Sequence, residues 1–141
     1  MKIQQYKVRL VEDCIGEYSL SGINLISDAA TIFSKDFDGL PHEEVMAIYL
    51  NARNAIIGKA VLAMGGLHGC ALTPRDVYRG AVVANASAII LAHNHPSGDP
   101  TPSREDIKMT QAVRQAGEIL GVYLLDHLVI AGNEYRSCNI Y

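Results

Sequence analysis

Apolar residues fall along the chain in patterns that predict a sheet with helices between some of its strands. Residues 88–92 are all apolar, which is typical of a strand buried on both faces. Residues 45–50 and 56–62 are rich in apolar side chains and flank the turn-like sequence 51–54, so they predict a hairpin. Further apolar segments predict an edge strand at 8–11 and two closing strands at 122–130 and 135–140.

Polar caps followed by apolar residues at helical spacing predict three helices, at 27–39, 73–85 and 103–120. Ser27 and Asp28 can cap the first helix. The second helix begins with the capping-box pair Thr73 and Asp76, and Pro74 suits the first helical position. The third helix is amphipathic and ends at Gly121, with four residues predicted to point inward: Met109, Val113, Ala116 and Leu120.

The order of these elements predicts the fold class. Strands follow one another at both ends of the chain, and helices lie between the others, so we expect an α/β (α+β) fold with a mixed sheet flanked by helices. A regular βαβ winding does not fit this order. With 141 residues, 49% of them hydrophobic, the chain can build a sizeable core. We expect one domain over residues 1–141, in which residues 1–20 form an edge strand and a lead-in.

The net charge and the cysteine content limit the classes of function and the cellular compartments that fit this chain. Twelve Lys and Arg against fifteen Asp and Glu give a net charge of −3 at pH 7, which argues against a protein whose main activity is to grip phosphate backbones. The three cysteines form no C-x-x-C pair, as expected in a reducing compartment. The N-terminus lacks the apolar run of a signal peptide, and the longest apolar stretch is too short to span a bilayer. We therefore expect a cytoplasmic protein.

The residues with the most informative chemistry lie in the segment 93–106, HNHPSGDPTPSRED, between the most buried strand and the third helix. In extended chain, His93 and His95 point to the same side. The turn-rich loop can reverse the chain, and Ser103 as N-cap brings Asp106 back toward the histidines. Two imidazoles and one carboxylate match a Zn²⁺ site with an open fourth position. Ser103 and Asp106 also fit a simple capping box, and a histidine at a strand end is often only structural.

In this segment H-x-H is followed, after seven residues, by S-x-x-D. This motif closely resembles the JAMM motif of the JAB/MPN metalloprotease superfamily. The sequence ILAHNHPSGDPTPSREDI, followed by LGVYLLDHLVIAG, is similar to the RadC branch of that superfamily, and the resemblance extends over residues 43–132. It implies the JAB/MPN fold, with a cytidine-deaminase-like architecture. It also implies a zinc metallopeptidase or isopeptidase, which hydrolyses peptide or isopeptide bonds with a metal-activated water.

The resemblance also implies a role for each residue of the motif. One Zn²⁺ per chain would be bound by three ligands: His93, His95 and Asp106. Ser103 would stabilise the oxyanion of the reaction. A glutamate upstream would be the general base. Glu43 fits the RadC spacing best, and Glu44, one residue further, is the alternative because it would face the opposite side of a strand.

Three other functions can be compared with this hypothesis. A zinc nucleobase deaminase would need H-x-E followed by P-C-x-x-C, whereas this chain has H-x-H and no C-x-x-C. A non-haem iron oxygenase also uses two histidines and a carboxylate, but no oxygenase-like framework accompanies them. The alternative from another class is a DNA-repair or mobile-element-associated RadC-like module, whose metal site is structural or acts on nucleic acid. The expected partner is a peptide or an isopeptide-linked protein, and we expect neither direct DNA binding nor a membrane.

The remaining polar residues near the motif are predicted to be structural. We expect Asp126 and His127 to form hydrogen bonds within a strand. Asn94 and Ser97 flank the predicted ligands, where either could shape the cleft. His68 is expected to be exposed in a glycine-rich loop, and His42 lies beside the predicted base. The three cysteines are expected to be small buried apolar residues.

Overall fold

The structure is a computed structural model that describes residues 1–7, 22–65 and 72–139. In chain order its elements are α1 (Ile26–Phe37), β1 (Glu44–Leu50), β2 (Ile56–Met64), α2 (Pro74–Val83), β3 (Ala88–Asn94), α3 (Arg104–Leu120), β4 (Tyr123–Ala131) and β5 (Glu134–Ser137). This order confirms the α/β (α+β) class. The edge strand predicted at 8–11 and His68, Cys14 and Cys70 lie outside the described residues. That residues 1–141 form one domain stays a prediction.

The five strands form one mixed sheet in the order β2-β1-β3-β4-β5. β1 pairs antiparallel with β2, as the predicted hairpin requires, and also with β3. β3 and β4 are parallel and are connected through α3, so their carboxyl ends lie at the same edge of the sheet. Every residue of β1 and β3 is buried, as the apolar segments predicted. The loop that follows β3 therefore leaves from the centre of the sheet.

Helices cover both faces of this sheet. One face packs against α1 through alternate residues, among them Ile90 and Ala92 of β3. The other face packs against α2 and α3 through Ile89 and Leu91. Because side chains alternate along a strand, His93 falls on the α3 face and Asn94 on the α1 face. In the part of the chain that the structure describes, no helix is long and apolar enough to cross a membrane.

Two helices differ from the prediction at their ends. α1 begins before Ser27 and Asp28, which lie in its first turn. Asp28 still caps the helix, because its carboxylate accepts the backbone N–H groups of Asn24 and Leu25, both at 2.9 Å. α2 ends at Val83 and not at Asn85, since Asn85 has a φ of 54° and cannot continue a right-handed helix.

One predicted inward residue and one strand boundary were wrong. Leu120 is 51% exposed, because α3 contacts the sheet through a face that ends at Gly117 and Leu120 lies in the last turn beyond it. Val113 is buried as predicted, and Met109 and Ala116 pack partly buried against the same core. The last strand ends at Ser137, three residues before the predicted boundary, and it is the short edge strand that pairs with β4.

Gly117 allows α2 and α3 to approach closely. The hydroxyl of Tyr78 in α2 donates to the carbonyl of Val113 in α3 at 2.9 Å. A Cβ atom at position 117 would overlap the Tyr78 hydroxyl and the carbonyl oxygen of Val122. The second of these is backbone, which has little freedom to shift. The glycine therefore sets the position of α3, whose first turn carries Asp106.

The substitution Gly117→Ala tests this packing. Alanine favours a helix interior by about 1 kcal/mol over glycine, but overpacking costs about 1–3 kcal/mol. We expect the overlap to outweigh the gain, so that the free energy of unfolding in urea decreases. Gln115→Ala, at an exposed position of the same helix, is the control. Equal or greater stability of Gly117→Ala would contradict this account of the helix contact.

Candidate metal centre

Three side chains from the end of β3, the loop that follows it and the start of α3 meet at the carboxyl edge of the sheet. His93 is the second-last residue of β3, His95 follows the strand, and Asp106 lies in the first turn of α3. The Nε2 atoms of His93 and His95 are 3.1 Å apart. Asp106 Oδ2 is 3.3 Å from Nε2 of His93 and 3.6 Å from Nε2 of His95. These residues form a group that could hold a metal ion.

The three distances fit a tetrahedral site. Zinc bonds to nitrogen or oxygen of about 2.0–2.1 Å, at tetrahedral angles, place ligand atoms about 3.3 Å apart. The three edges of the triangle, 3.1 to 3.6 Å, lie around that value. His93 and Asp106 are buried, whereas the side chain of His95 is 17% exposed. The cluster is therefore reached from the side of His95.

Asp106 belongs both to the helix cap and to the cluster. Its Oδ2 accepts the backbone N–H of Ser103 at 2.8 Å, and its own N–H donates to Ser103 Oγ at 3.1 Å, which completes a capping box. The same Oδ2 faces the two histidines. The capping and ligand interpretations of the sequence thus describe one carboxylate in one conformation.

The electrostatics of the cluster keep this carboxylate charged. Burial alone raises the pKa of Asp106, but the hydrogen bond and positive charge of His93, together with the hydrogen bonds of Ser103, hold that pKa well below its usual value. A charged carboxylate is the form that binds a cation.

Hydrogen bonds fix which nitrogen of His95 carries the proton. Its Nδ1 lies 2.8 Å from the carbonyl oxygen of Asp99. A carbonyl only accepts, so Nδ1 is the donor, and in the neutral ring Nε2 keeps its lone pair. The backbone N–H of His95 also donates to the carbonyl of Ile130 in β4 at 2.8 Å. The ring is thereby oriented with its lone pair toward the cluster.

A buried chain of hydrogen bonds fixes His93 in the same way. The hydroxyl of Thr110 donates to the carbonyl of Asp106 at 2.7 Å, so its oxygen accepts from Nδ1 of His127, also at 2.7 Å. Nε2 of His127 is then an acceptor, and His93 Nδ1 donates to it at 2.8 Å. Burial, and then the charge of His93, lowers the pKa of His127 to about 3, which keeps this ring neutral.

Three lone pairs therefore converge in the centre of the cluster. When the proton that charges His93 leaves its Nε2, as metal binding requires, Nε2 of His93, Nε2 of His95 and the Asp106 carboxylate have no hydrogen between them. Acceptors so close repel one another unless a cation lies among them. A metal ion satisfies all three, and its ligand set of two imidazoles and a carboxylate is one that zinc uses.

Two glutamates, Glu43 and Glu44, lie at the N-terminal end of β1 and fall on opposite faces of the sheet. Val45 pairs with His93 across the sheet, and Glu43, two residues before Val45, falls on that same face. Glu44 falls on the α1 face, where its Oε1 lies 2.9 Å from His42 Nε2. Glu43 is half-buried and Glu44 is buried.

The family can be assigned from the sequence over the same elements. The family model of the RadC-like JAB domain matches residues 23–140, a span that contains the eight helices and strands described above. The chain belongs to the RadC-like JAB domain family. This agrees with the motif resemblance and with the mixed sheet described above.

Relatives of this RadC-like chain are UPF0758 proteins from several bacteria. One from Carboxydothermus hydrogenoformans is 50% identical over 95 residues, which cover 67% of this chain and 42% of the relative. One from Shouchella clausii is 46% identical over 110 residues, or 78% of this chain and 48% of the relative. One from Clostridium perfringens is 39% identical over 123 residues, or 87% and 54%. The chain spans about half the length of these relatives.

The sequence predicts only a structural hydrogen bond for His127. The parallel register places His127 beside Leu91 in β3, on the face that carries His93 two residues later. Strict alternation from Leu124, which packs on the α3 face, would put Asp126 and not His127 on that face. The register shifts by one residue between the pairs Ile89–Leu124 and Ile90–Asp126, so sequence alternation carried no signal for His127. Asp126, as predicted, bonds within the strands: it accepts from the N–H of His127 and from Ser137 Oγ.

His127→Phe tests the hydrogen-bonded chain. It removes the acceptor of His93 Nδ1 with little change of volume, and the loss of such a partner costs about 10–100-fold in metal affinity. Zinc affinity is measured by competition with a chromogenic chelator. His127→Gln, whose amide oxygen can still accept, should restore part of the affinity, and His42→Phe should leave it unchanged. Parent-like affinity in His127→Phe would contradict the assignment.

Metal removal should leave the RadC-like chain folded. Apolar layers cover both faces of the sheet, so most of the stabilisation does not depend on the cluster. We expect chelated protein to melt cooperatively, at a lower temperature than zinc-loaded protein, because a ligand that binds only the folded state stabilises it. A non-cooperative melt after chelation, as a zinc finger would give, would show instead that the fold requires the metal.

Proposed function

We propose that this RadC-like chain is a zinc-dependent hydrolase of the JAMM type that cleaves a peptide or isopeptide bond. The observation that carries the proposal is the convergence of three lone pairs, from His93, His95 and Asp106, at the spacing of tetrahedral ligands. Three protein ligands leave a fourth position for water or substrate. That arrangement is typical of catalytic zinc sites, whereas structural sites have four protein ligands.

The residues around the cluster supply the other parts of an amide hydrolysis. When bound, zinc lowers the pKa of a water toward about 7 and polarises a carbonyl. Glu43, on the face of the cluster, would accept a proton from the attacking water while the oxygen of that water bonds to the carbonyl carbon. It would then deliver the proton to the nitrogen when the C–N bond breaks. The products are an acid and an amine, and Glu43 returns to its charged form.

Ser103 would act on the developing oxyanion. Its oxygen accepts the N–H of Asp106 at 3.1 Å, and a hydroxyl that accepts can still donate its own hydrogen. The residue is exposed, at the start of α3, where a substrate carbonyl can reach it. One serine would thus cap the helix and donate to the oxyanion.

The proposed substrate is a protein or a peptide. The net charge of −3 argues against the DNA-associated alternative, in which the metal site would be structural or would act on nucleic acid.

Glu43→Gln is the decisive substitution. Glutamine has nearly the same shape but cannot accept the proton, and a general base contributes about 10²–10⁴-fold to the rate. We expect zinc content to be unchanged and hydrolysis of peptide and isopeptide probes to fall by that factor. Glu44→Gln, its neighbour on the opposite face, is the matched control and should keep most of the activity.

One result would reassign the general base, and another would overturn the proposal. Full activity in Glu43→Gln with loss in Glu44→Gln would make Glu44 the base. No hydrolysis of any probe by zinc-loaded parent, together with salt-dependent binding or cleavage of DNA, would favour the DNA-associated module.

A further inference from the structure

Asn94, the residue between the two histidines, binds the backbone at the N-terminal end of β1 through both the nitrogen and the oxygen of its side-chain amide. Its Nδ2 donates to the carbonyl oxygen of His42 at 2.9 Å, and its Oδ1 accepts the backbone N–H of Glu44 at 2.7 Å. Asn94 is 4% exposed, so both bonds are formed away from water. The two peptide groups that it binds are those on either side of Glu43.

The side chain of Asn94 forms the hydrogen bonds to the backbone before β1 that the backbone of β3 no longer forms. β1 and β3 pair up to Val45 and His93. Beyond that pair, β3 leaves β1, because His95 directs its N–H to Ile130 in β4. Unpaired backbone groups in a buried place cost free energy. A side-chain amide has the same donor and acceptor as a peptide group, so Asn94 extends the antiparallel ladder by one step.

The backbone of Glu43 is held on its other side as well. Its carbonyl accepts the N–H of Gly65 at 2.9 Å, next to the end of β2. Glu43 therefore lies between two sets of hydrogen bonds although it is outside the strand. With its peptide groups fixed in extended register, the alternation of side chains places Glu43 on the face of His93 and directs Glu44 away from it.

We propose that Asn94 is a positioning residue for Glu43 and sets the place of that carboxylate relative to the metal centre. The inference rests on the proposed function, in which Glu43 is the general base. A single tripeptide, 93–95, then does two things: its histidines bind the metal, and its asparagine places the base. Aspartate could not substitute, because it has no donor for the His42 carbonyl and would add charge near Glu44.

The experiment compares Asn94→Ala, Glu43→Gln and the double variant, each loaded with cobalt(II). Cobalt takes ligands of the same kinds as zinc, and its visible absorption responds to groups that contact its open position. We expect Glu43→Gln to shift the bands, Asn94→Ala to shift them in the same way, and the double variant to add nothing. Asn133→Ala, in the exposed β4–β5 turn, is the control and should match the parent.

Zinc affinity and kinetics complete the comparison. Asn94→Ala keeps all three ligands, so its zinc affinity should stay near that of the parent. Its kcat on a hydrolysed probe should fall by about 10²-fold with KM unchanged, as a misplaced catalytic group predicts. The kcat of the double variant should be no lower than that of Glu43→Gln, because the two changes act on the same group.

The outcomes separate this inference from the function on which it rests. Unshifted bands in Glu43→Gln would mean that Glu43 is not near the metal. The proposed role of Glu43 and the proposed role of Asn94 would then both be wrong. Shifted bands in Glu43→Gln with parent-like bands in Asn94→Ala would overturn only the role of Asn94. A large loss of zinc affinity in Asn94→Ala would show that it supports the ligands instead. If Asn94→Ala does not fold, Asn94→Asp is judged by the same criteria.

Discussion

The carboxylate of Asp106 connects the fold to the candidate site. It closes the first turn of α3 through Ser103 and at the same time stands 3.3 Å from His93. The free N–H groups at a helix start need hydrogen-bond acceptors, and here the carboxylate that accepts the N–H of Ser103 also belongs to the candidate metal centre. The position of α3, set at its other end by the close approach at Gly117, therefore determines the geometry of the cluster.

Beside that carboxylate, three hydrogen bonds form a buried chain. Thr110 donates to the backbone carbonyl of Asp106, His127 donates to Thr110, and His93 donates to His127. Each member is almost completely buried, so each bond is formed in a medium of low dielectric constant, where an unsatisfied group is costly. Every donor in this chain has one acceptor, so Nδ1 carries the proton in both His127 and His93. Nε2 of His93 is therefore the atom that faces the Asp106 carboxylate.

Local patterns predicted the parts of this arrangement that depend on neighbours in sequence. The unbroken apolar segment predicted β3, and the spacing of His93, His95 and Asp106 predicted their convergence, because a strand, a loop and a helix start are local structures. His127 and Asn94 depend on register between distant segments: Thr110 is 17 residues from His127, and Asn94 is 52 residues from His42. Strand order and pairing had to be known before either partner could be named. The prediction that Leu120 points inward was wrong for the opposite reason. Helical spacing is local, but it continues past the point where α3 leaves the sheet.

The central claim is that His93, His95 and Asp106 bind one metal ion, and zinc content tests it most directly. The purified protein, supplied with zinc and passed through a desalting column, should contain about one zinc per chain. His95→Ala should contain little, because one of three ligands is gone, and His42→Ala should match the parent, because His42 bonds to Glu44 away from the cluster. No zinc in the parent, or equal zinc in parent and His95→Ala, would contradict the metal centre and the hydrolase built on it.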